Sequence, residues 1–435
     1  MTIQQPQFTL TSDMRRRIDP DKLAGILGPL VGTSAGLDDE TVMRTFARLT
    51  WNTVVEPGDA DAGLLTELLG PEVCFVLADG QVDAVAGALS SLGSGAFDLA
   101  GTMARWAPRL DLDRVLGLCR SATQLGLRFL PPESVAWPHQ VDDLGPHAPQ
   151  GLWLRGDVDA LARGRGSVAI VGSRASTPYG DRVAGDLAAE ISARDIAVVS
   201  GGAYGIDAAA HRATLASTGN TIAVLAGGGD RLYPSGNRAL LERICDEGVV
   251  ITEAPVGQPP TRWRFLQRNR LISALAQAVV VVEAGARSGA LNTANHAMHL
   301  GRPLGAVPGP VTSASSVGCH GLLRDQLARL VAHSNDLYEL WQEGAAQHGL
   351  PTGLVTSGDA QLDLGDLSGS HADGLSAAAI RVRDALRPRR RQRVDEIAKE
   401  CGMSAATVRA GLMELQLAGL AEDDESGWRK ARALT

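Results

Sequence analysis

The sequence is short of several things, and each shortage narrows the reading. Basic residues do not outnumber acidic ones: 41 Lys and Arg stand against 49 Asp and Glu, a net charge of −8. A chain-wide basic signature is therefore missing, and any anion-binding site has to be local. The five cysteines, at 74, 119, 245, 319 and 401, form no CxxC pair, which fits reduced thiols better than disulfides or zinc. No stretch approaches the ~18 uninterrupted apolar residues of a membrane span, and the polar opening MTIQQPQFTLTSDMRRR does not read as a secretion signal. A cytoplasmic protein with no membrane partner is expected. GxxxxGK[ST] is absent, which excludes a P-loop, and GSRAS after the first strand of the central region is not the GxGxxG of dinucleotide sites.

What is present is enough apolar residue, 44% of 435, for two or three domains with cores of their own. Residues 14–130 read as helical, with Val42, Phe46 and Leu49 at helical spacing and breaks at Pro57-Gly58 and Gly70-Pro71. Nothing in them carries chemistry. Residues 131–345 open on proline-punctuated coil and a short strand at 152–154, then alternate strand and helix. Strands are expected at 167–171, 196–199, 221–226, 249–252, 278–283 and 304–307. Buried runs such as VVVVE need both faces covered, so the fold class is α/β: a parallel, doubly wound, extended Rossmann-like sheet with its ligand crevice beyond the carboxyl ends of the strands. Residues 346–374, rich in Gly, Ser and Asp, read as a flexible linker. Residues 375–435 read as a winged helix, with helices at 376–386, 394–401 and 405–418. Between 395 and 425 that module holds eight acids and two bases, and Arg409 is the one base on its second helix of the helix-turn-helix pair. A protein-interaction or accessory role is favoured for it, with an auxiliary DNA contact through the arginines of 387–393 as the lesser reading.

The central unit is SVAIVGSRASTPYGDRVAGDLAAEISARDIAVVSGGAYGID at 167–207, a complete strand, helix, strand segment that ends in a glycine-rich turn. Gly201, Gly202 and Gly205 allow a tight strand-to-helix turn whose free N–H groups suit an anion. Further turns fall at the same sheet edge: Gly172-Ser173-Arg174, Gly227 to Asp230, Glu283 to Gly289 and Pro308-Gly309. One such turn is ordinary packing; several at one edge favour an anion site. Glu283 and Asp207 could do chemistry, but a lone carboxylate at a strand end more often caps or pairs. His296 and His299 lack further ligands, so neither a metal nor a cofactor is expected. The sharpest local feature is TRWRFLQRNR at 261–270, four arginines and two aromatics within ten residues. It reads either as a phosphate-gripping and base-stacking surface or as core aromatics with paired arginines.

GSR at 172–174, SGGAYGID at 200–207, FLQRNRLIS at 265–273, VVEAGARSGALNTA at 281–294 and AVPG at 306–309 together resemble the DNA-processing protein A family, DprA or Smf. The resemblance implies a non-enzymatic, homodimeric binder of single-stranded DNA that protects incoming DNA in natural transformation and loads the RecA recombinase onto it. It implies DNA contacts at Arg174, Arg262, Phe265, Arg268, Asn269 and Arg270, with Phe265 as the stacking aromatic, and the strand-end turns add Gly172, Ser173, Gly201, Gly202 and Gly205 to the expected DNA-binding set. The chain departs from the family pattern at Leu266, at Ala274 and Ala276, and at His320. The rival class, a Rossmann-like nucleoside-monophosphate phosphoribohydrolase, uses a PGGxGTxxE motif that is absent.

Overall fold

The computed structural model describes residues 8–32, 36–94, 97–349, 374–424 and 427–431. Its first part is helical: α1 (Ser12–Arg17), α2 (Pro20–Val31), α3 (Asp39–Val54), α4 (Ala60–Leu69), α5 (Val73–Ala78), α6 (Val82–Ser91), α7 (Leu99–Trp106) and α8 (Leu112–Gln124). Local chemistry sets these starts. Asp38, for example, accepts the Thr41 N–H at 2.7 Å and so caps α3. Trp51 and Trp106 meet edge to face at 4.8 Å inside a core that also takes in Trp153 from the following sheet. Trp153 donates to the Asn52 side-chain oxygen, and Asn52 donates to the Glu253 carbonyl, both at 2.8 Å. The helical part is thus bonded to the sheet.

The sheet has nine strands: β1 (Arg128–Leu130), β2 (Leu152–Gly156), β3 (Ser167–Val171), β4 (Ala197–Ser200), β5 (Thr221–Leu225), β6 (Val249–Thr252), β7 (Ala278–Val281), β8 (Leu304–Ala306) and β9 (Arg329–Leu330), in the spatial order β1-β2-β6-β5-β4-β3-β7-β8-β9. From β6 to β9 every pairing is parallel, as expected, but β1 and β2 add an antiparallel edge. One boundary differs from the expected one: Arg128–Leu130 is a strand of the sheet although composition groups it with the helices. Three-residue strands lack the length that makes a period-two pattern legible.

Seven helices flank the sheet: α9 (Pro178–Ser192), α10 (Ile206–Ala216), α11 (Arg238–Glu247), α12 (Arg262–Leu275), α13 (Gly289–His299), α14 (Val317–Arg324) and α15 (Ser334–Gly349). The pleat sorts them. Val168, Ile170, Val198 and Val280 pack with residues of α9, α10 and α15, while Ala169, Val171, Val199 and Val279 pack with α12 and α13. The chain moves outward from β3 through β4 and β5 to β6, then returns to lay β7 against the other side of β3. That reversal opens a crevice between the loops after β3 and β7.

The expected linker begins inside α15, whose last residues are 346–349, and residues 350–373 lie outside the described ones. The last module holds α16 (Ala377–Ala385), α17 (Val394–Cys401) and α18 (Ala405–Leu417), then the hairpin β10 (Ala421–Asp424) and β11 (Gly427–Lys430). Gly402, at φ +62°, ends α17, and Ser404 caps α18. The module rests on the start of α12, with the Arg381 guanidinium 5.1 Å from the centre of the Trp263 ring and the Asp384 carboxylate accepting the Trp263 N–H at 3.3 Å. Among the described residues no helix is long and apolar enough to cross a membrane.

Candidate nucleic-acid interface

The loop after β3 is held in place by backbone bonds. Ser173 donates its N–H to the Glu283 carbonyl at 2.7 Å, and its own carbonyl accepts the Ile206 N–H at 3.2 Å. Gly205 makes that approach possible. Its φ is +72°, and a β-carbon there would lie 2.2 Å from the Ser173 carbonyl oxygen. The glycine-rich turn has an internal anion: Asp207 accepts the N–H groups of Gly201 at 3.1 Å and Ala203 at 3.4 Å. Burial raises the pKa of Asp207, and Arg268 opposes that shift. Gly201, Gly202 and Gly205 therefore shape the crevice from behind, while Gly172, Ser173, Arg174 and Ala203 line it. Glu283 has a structural post as well, accepting the Thr177 N–H at 2.9 Å and the Thr177 hydroxyl at 2.6 Å.

The opposite wall is α12, which starts where Thr261 accepts the Arg264 N–H. Arg262, Phe265, Leu266, Asn269 and Ile272 recur at helical spacing along its crevice side. Phe265 is half-buried and belongs to none of the apolar cores; the Arg174 guanidinium lies 4.5 Å from its ring centre. Tyr233 approaches the same ring at 5.9 Å. Arg268 also lines the crevice, but its guanidinium is turned inward, donating to the carbonyls of Gly201 at 2.7 Å and Val224 at 2.6 Å. Burial lowers its pKa to about 10, with Asp207 acting against the shift and Arg174 adding to it. Asn269 accepts from Arg268 Nε and donates to Asn292 and the Gly289 carbonyl, tying α12 to α13.

The structure corrects one expectation outright and divides another. Arg270 is fully buried outside the crevice and paired with Glu253, because the helical turn carries it to the far side of α12. The basic run is therefore not one surface. Arg264 and Arg270 bind internal carboxylates, while Arg262 and Arg268 face the crevice with Phe265.

The crevice measures about 640 Å³, and Arg174 and Arg287 are the exposed cations on its rim. Arg287 is a further crevice residue beyond the expected set, and its place after β7, level with Arg174 after β3, is the sequence signal for it. Of the departures from the family pattern, Leu266 lines the crevice, Ala274 and Ala276 are core, and His320 Nε2 hydrogen-bonds the Gly309 carbonyl at 2.9 Å. Among the described residues no three His, Cys, Asp or Glu side chains converge as a metal site would require.

A concave, cationic, water-open slot with one aromatic face suits an extended polyanion carrying planar groups. Residues 128–342 match the family model described as DNA recombination-mediator protein A, and residues 369–425 match the DprA winged helix domain. The chain is 45% identical over 336 residues to a DprA-named DNA processing protein of Mycobacterium tuberculosis, covering 75% of this chain and 82% of that one. It is 34% identical over 292 residues to the Smf protein of Escherichia coli, covering 67% and 74%. The X-ray structure of DNA processing protein A from Streptococcus pneumoniae superposes with a TM-score of 0.55 at 28% identity, over 68% of this chain and 97% of that one. With both its sheet region and its winged helix matched in order, this chain belongs to the DprA/Smf family of DNA-processing, recombination-mediator proteins.

Proposed function

We propose that the crevice between the β3 and β7 loops and α12 is where this chain holds single-stranded DNA. The function follows from the family: binding single-stranded DNA as a mediator of transformation and recombination, with no bond made or broken. The observation that carries the assignment of the site is the placing of Arg174 over Phe265 at 4.5 Å, at the topological switch point. Arg174, Arg262 and Arg287 supply charge for the phosphates, and Phe265 supplies a face on which an unpaired base can stack. Arg268 and Asn269 hold that wall in position, and Gly172, Ser173, Gly201, Gly202 and Gly205 give the loops their course. A hydrolase reading finds little here, since Glu283 is held by Thr177 and Asp207 by its own loop.

The finer parts rest on family membership. RecA is the recombinase expected to receive the strand. A homodimer is expected too, and the outer sheet edge suits it, because Leu327 and Leu330 stand about half exposed beside the unpaired side of β9. The deciding experiment for the main reading is a mobility shift with oligothymidylate against duplex of equal length. A strong single-strand preference is expected, and equal affinity for the two overturns the reading.

A further inference from the structure

A second cavity, of about the same size as the crevice, lies elsewhere in the molecule. It lies where the helical part, the start of α12 and the winged helix meet, and it measures about 670 Å³. Eight cationic side chains and four carboxylates line it, a net positive junction in a chain of net charge −8. Most of these charges are already matched. Glu56 takes Arg109 and Arg264, Glu400 takes Arg387, Glu396 takes Arg390, and Asp384 caps the Trp263 N–H. Arg114 from α8 and Lys399 from α17 are exposed and carry no ion pair among the described residues. Deeper in, Trp263 Nε1 and Arg381 Nε are buried donors without an acceptor. Surplus charge at the mouth suits an anion, and the unmatched donors need only an acceptor.

The two cavities share α12. Arg262 and Phe265 line the crevice, whereas Thr261, Trp263 and Arg264 line the junction, so the two cavities lie on different faces of the same first turn. We infer that the junction is a second phosphodiester site, into which a DNA strand leaving the crevice runs across the amino end of α12. This rests on the crevice being the single-strand site. One face of Trp263 is covered by Arg381, so the junction offers charge with little surface for stacking. It therefore contacts backbone and is indifferent to base identity. The winged helix joins DNA binding through Lys399 on α17, not through its acidic hairpin or through α18.

The test uses the full chain. Arg114→Ala/Lys399→Ala is compared with the parent in anisotropy titrations against oligothymidylates of about six and about twenty nucleotides over a series of salt concentrations. The short oligomer, which fills only the crevice, is expected to bind both proteins alike. The long one is expected to lose several-fold in affinity, with its salt slope reduced by roughly 0.7 for each of the two contacts. Unchanged affinity for the long oligomer, or equal loss at both lengths, overturns the inference. Lys399→Glu, expected to deepen the loss for long strands only, provides a second variant on an exposed position. Arg174→Ala in the same titrations tests the underlying reading separately, since failure to weaken the short oligomer would remove the crevice as the primary site.

Discussion

Arg264 and Glu56, 208 residues apart, form a two-pronged ion pair, with Arg264 Nε 3.0 Å and Nη2 2.8 Å from the two carboxylate oxygens. Arg109 reaches the same carboxylate at 2.7 Å, so one buried acid joins the helical part to α12. Burial would raise the pKa of Glu56, but Arg264 and Arg109 outweigh it and hold the group at about 2. Glu56→Gln leaves two guanidinium groups buried without a counter-charge. We expect a loss of about 3–5 kcal/mol, measured by denaturant unfolding, with the start of α12 the first part to lose hydrogen-exchange protection.

Arg174 and Phe265 separate charge from stacking. Arg174→Ala is expected to weaken single-strand binding and to lower the salt slope by about 0.7, one contact, at unchanged melting temperature. Phe265→Ala is expected to cost ~1–3 kcal/mol of binding with the slope unchanged. Because Phe265 is half-buried and outside the cores, its truncation should leave the fold standing. A strongly destabilised Phe265→Ala protein would count against the stacking role. Since the two side chains touch, their effects should not add, and a double-mutant cycle on binding should return a coupling of roughly 0.5–1 kcal/mol.

The difference between these residues and their neighbours in sequence shows where sequence reading stops. The run at 261–270 was legible as a concentration of arginine and aromatic side chains, and the turns at one sheet edge were legible as a crevice. Helical spacing could have separated Arg262, Phe265 and Asn269 from Arg264 and Arg270, because positions three and four apart share a face. What spacing cannot supply is the partner. Glu56 and Glu253, which neutralise Arg264 and Arg270, lie in regions with no local sign of the pairing. In the same way the glycine turn reads as an open anion nest until the fold returns Asp207 to its N–H groups. The strands at 128–130 and 329–330 are too short to announce themselves, and only their neighbours in the sheet make them strands.

Arg268 should behave unlike Arg174 although both line the crevice. Its Nη1 bridges two carbonyls at the ends of β4 and β5, which remain buried if the side chain is cut away. Arg268→Ala is expected to lower stability by about 2–4 kcal/mol as those acceptors and Asp207 lose their donor and counter-charge. Binding should fall with it as the wall shifts. Melting curves beside titrations distinguish the cases, and a stable Arg268→Ala protein with weak binding would instead make Arg268 a direct phosphate contact.

Acid stability should show two separable limbs. His211 is buried, with Nδ1 2.7 Å from the Thr221 hydroxyl, and burial lowers its pKa to about 3; His296, also buried, is lowered to about 3 by burial reinforced by Arg270. For a base with a depressed folded pKa, the unfolded chain takes up the proton first. Stability conferred by the neutral ring is therefore complete above the unfolded value near 6.5 and declines as pH falls from there towards 3. Glu56 acts lower. Its carboxylate form is favoured in the folded state, so its contribution is present above the ordinary value of 4.5 and is lost as pH falls from there towards about 2. Unfolding midpoints in urea should thus drop between pH 6.5 and 4.5 mainly through the histidines, and more steeply below 4.5 as Glu56 joins them. His211→Gln/His296→Gln should flatten the upper limb, and Glu56→Gln, though less stable throughout, should flatten the part of the lower limb that Glu56 contributes. An upper limb that persists in the histidine variant would mean that these rings are protonated as readily in the folded protein as in the unfolded chain.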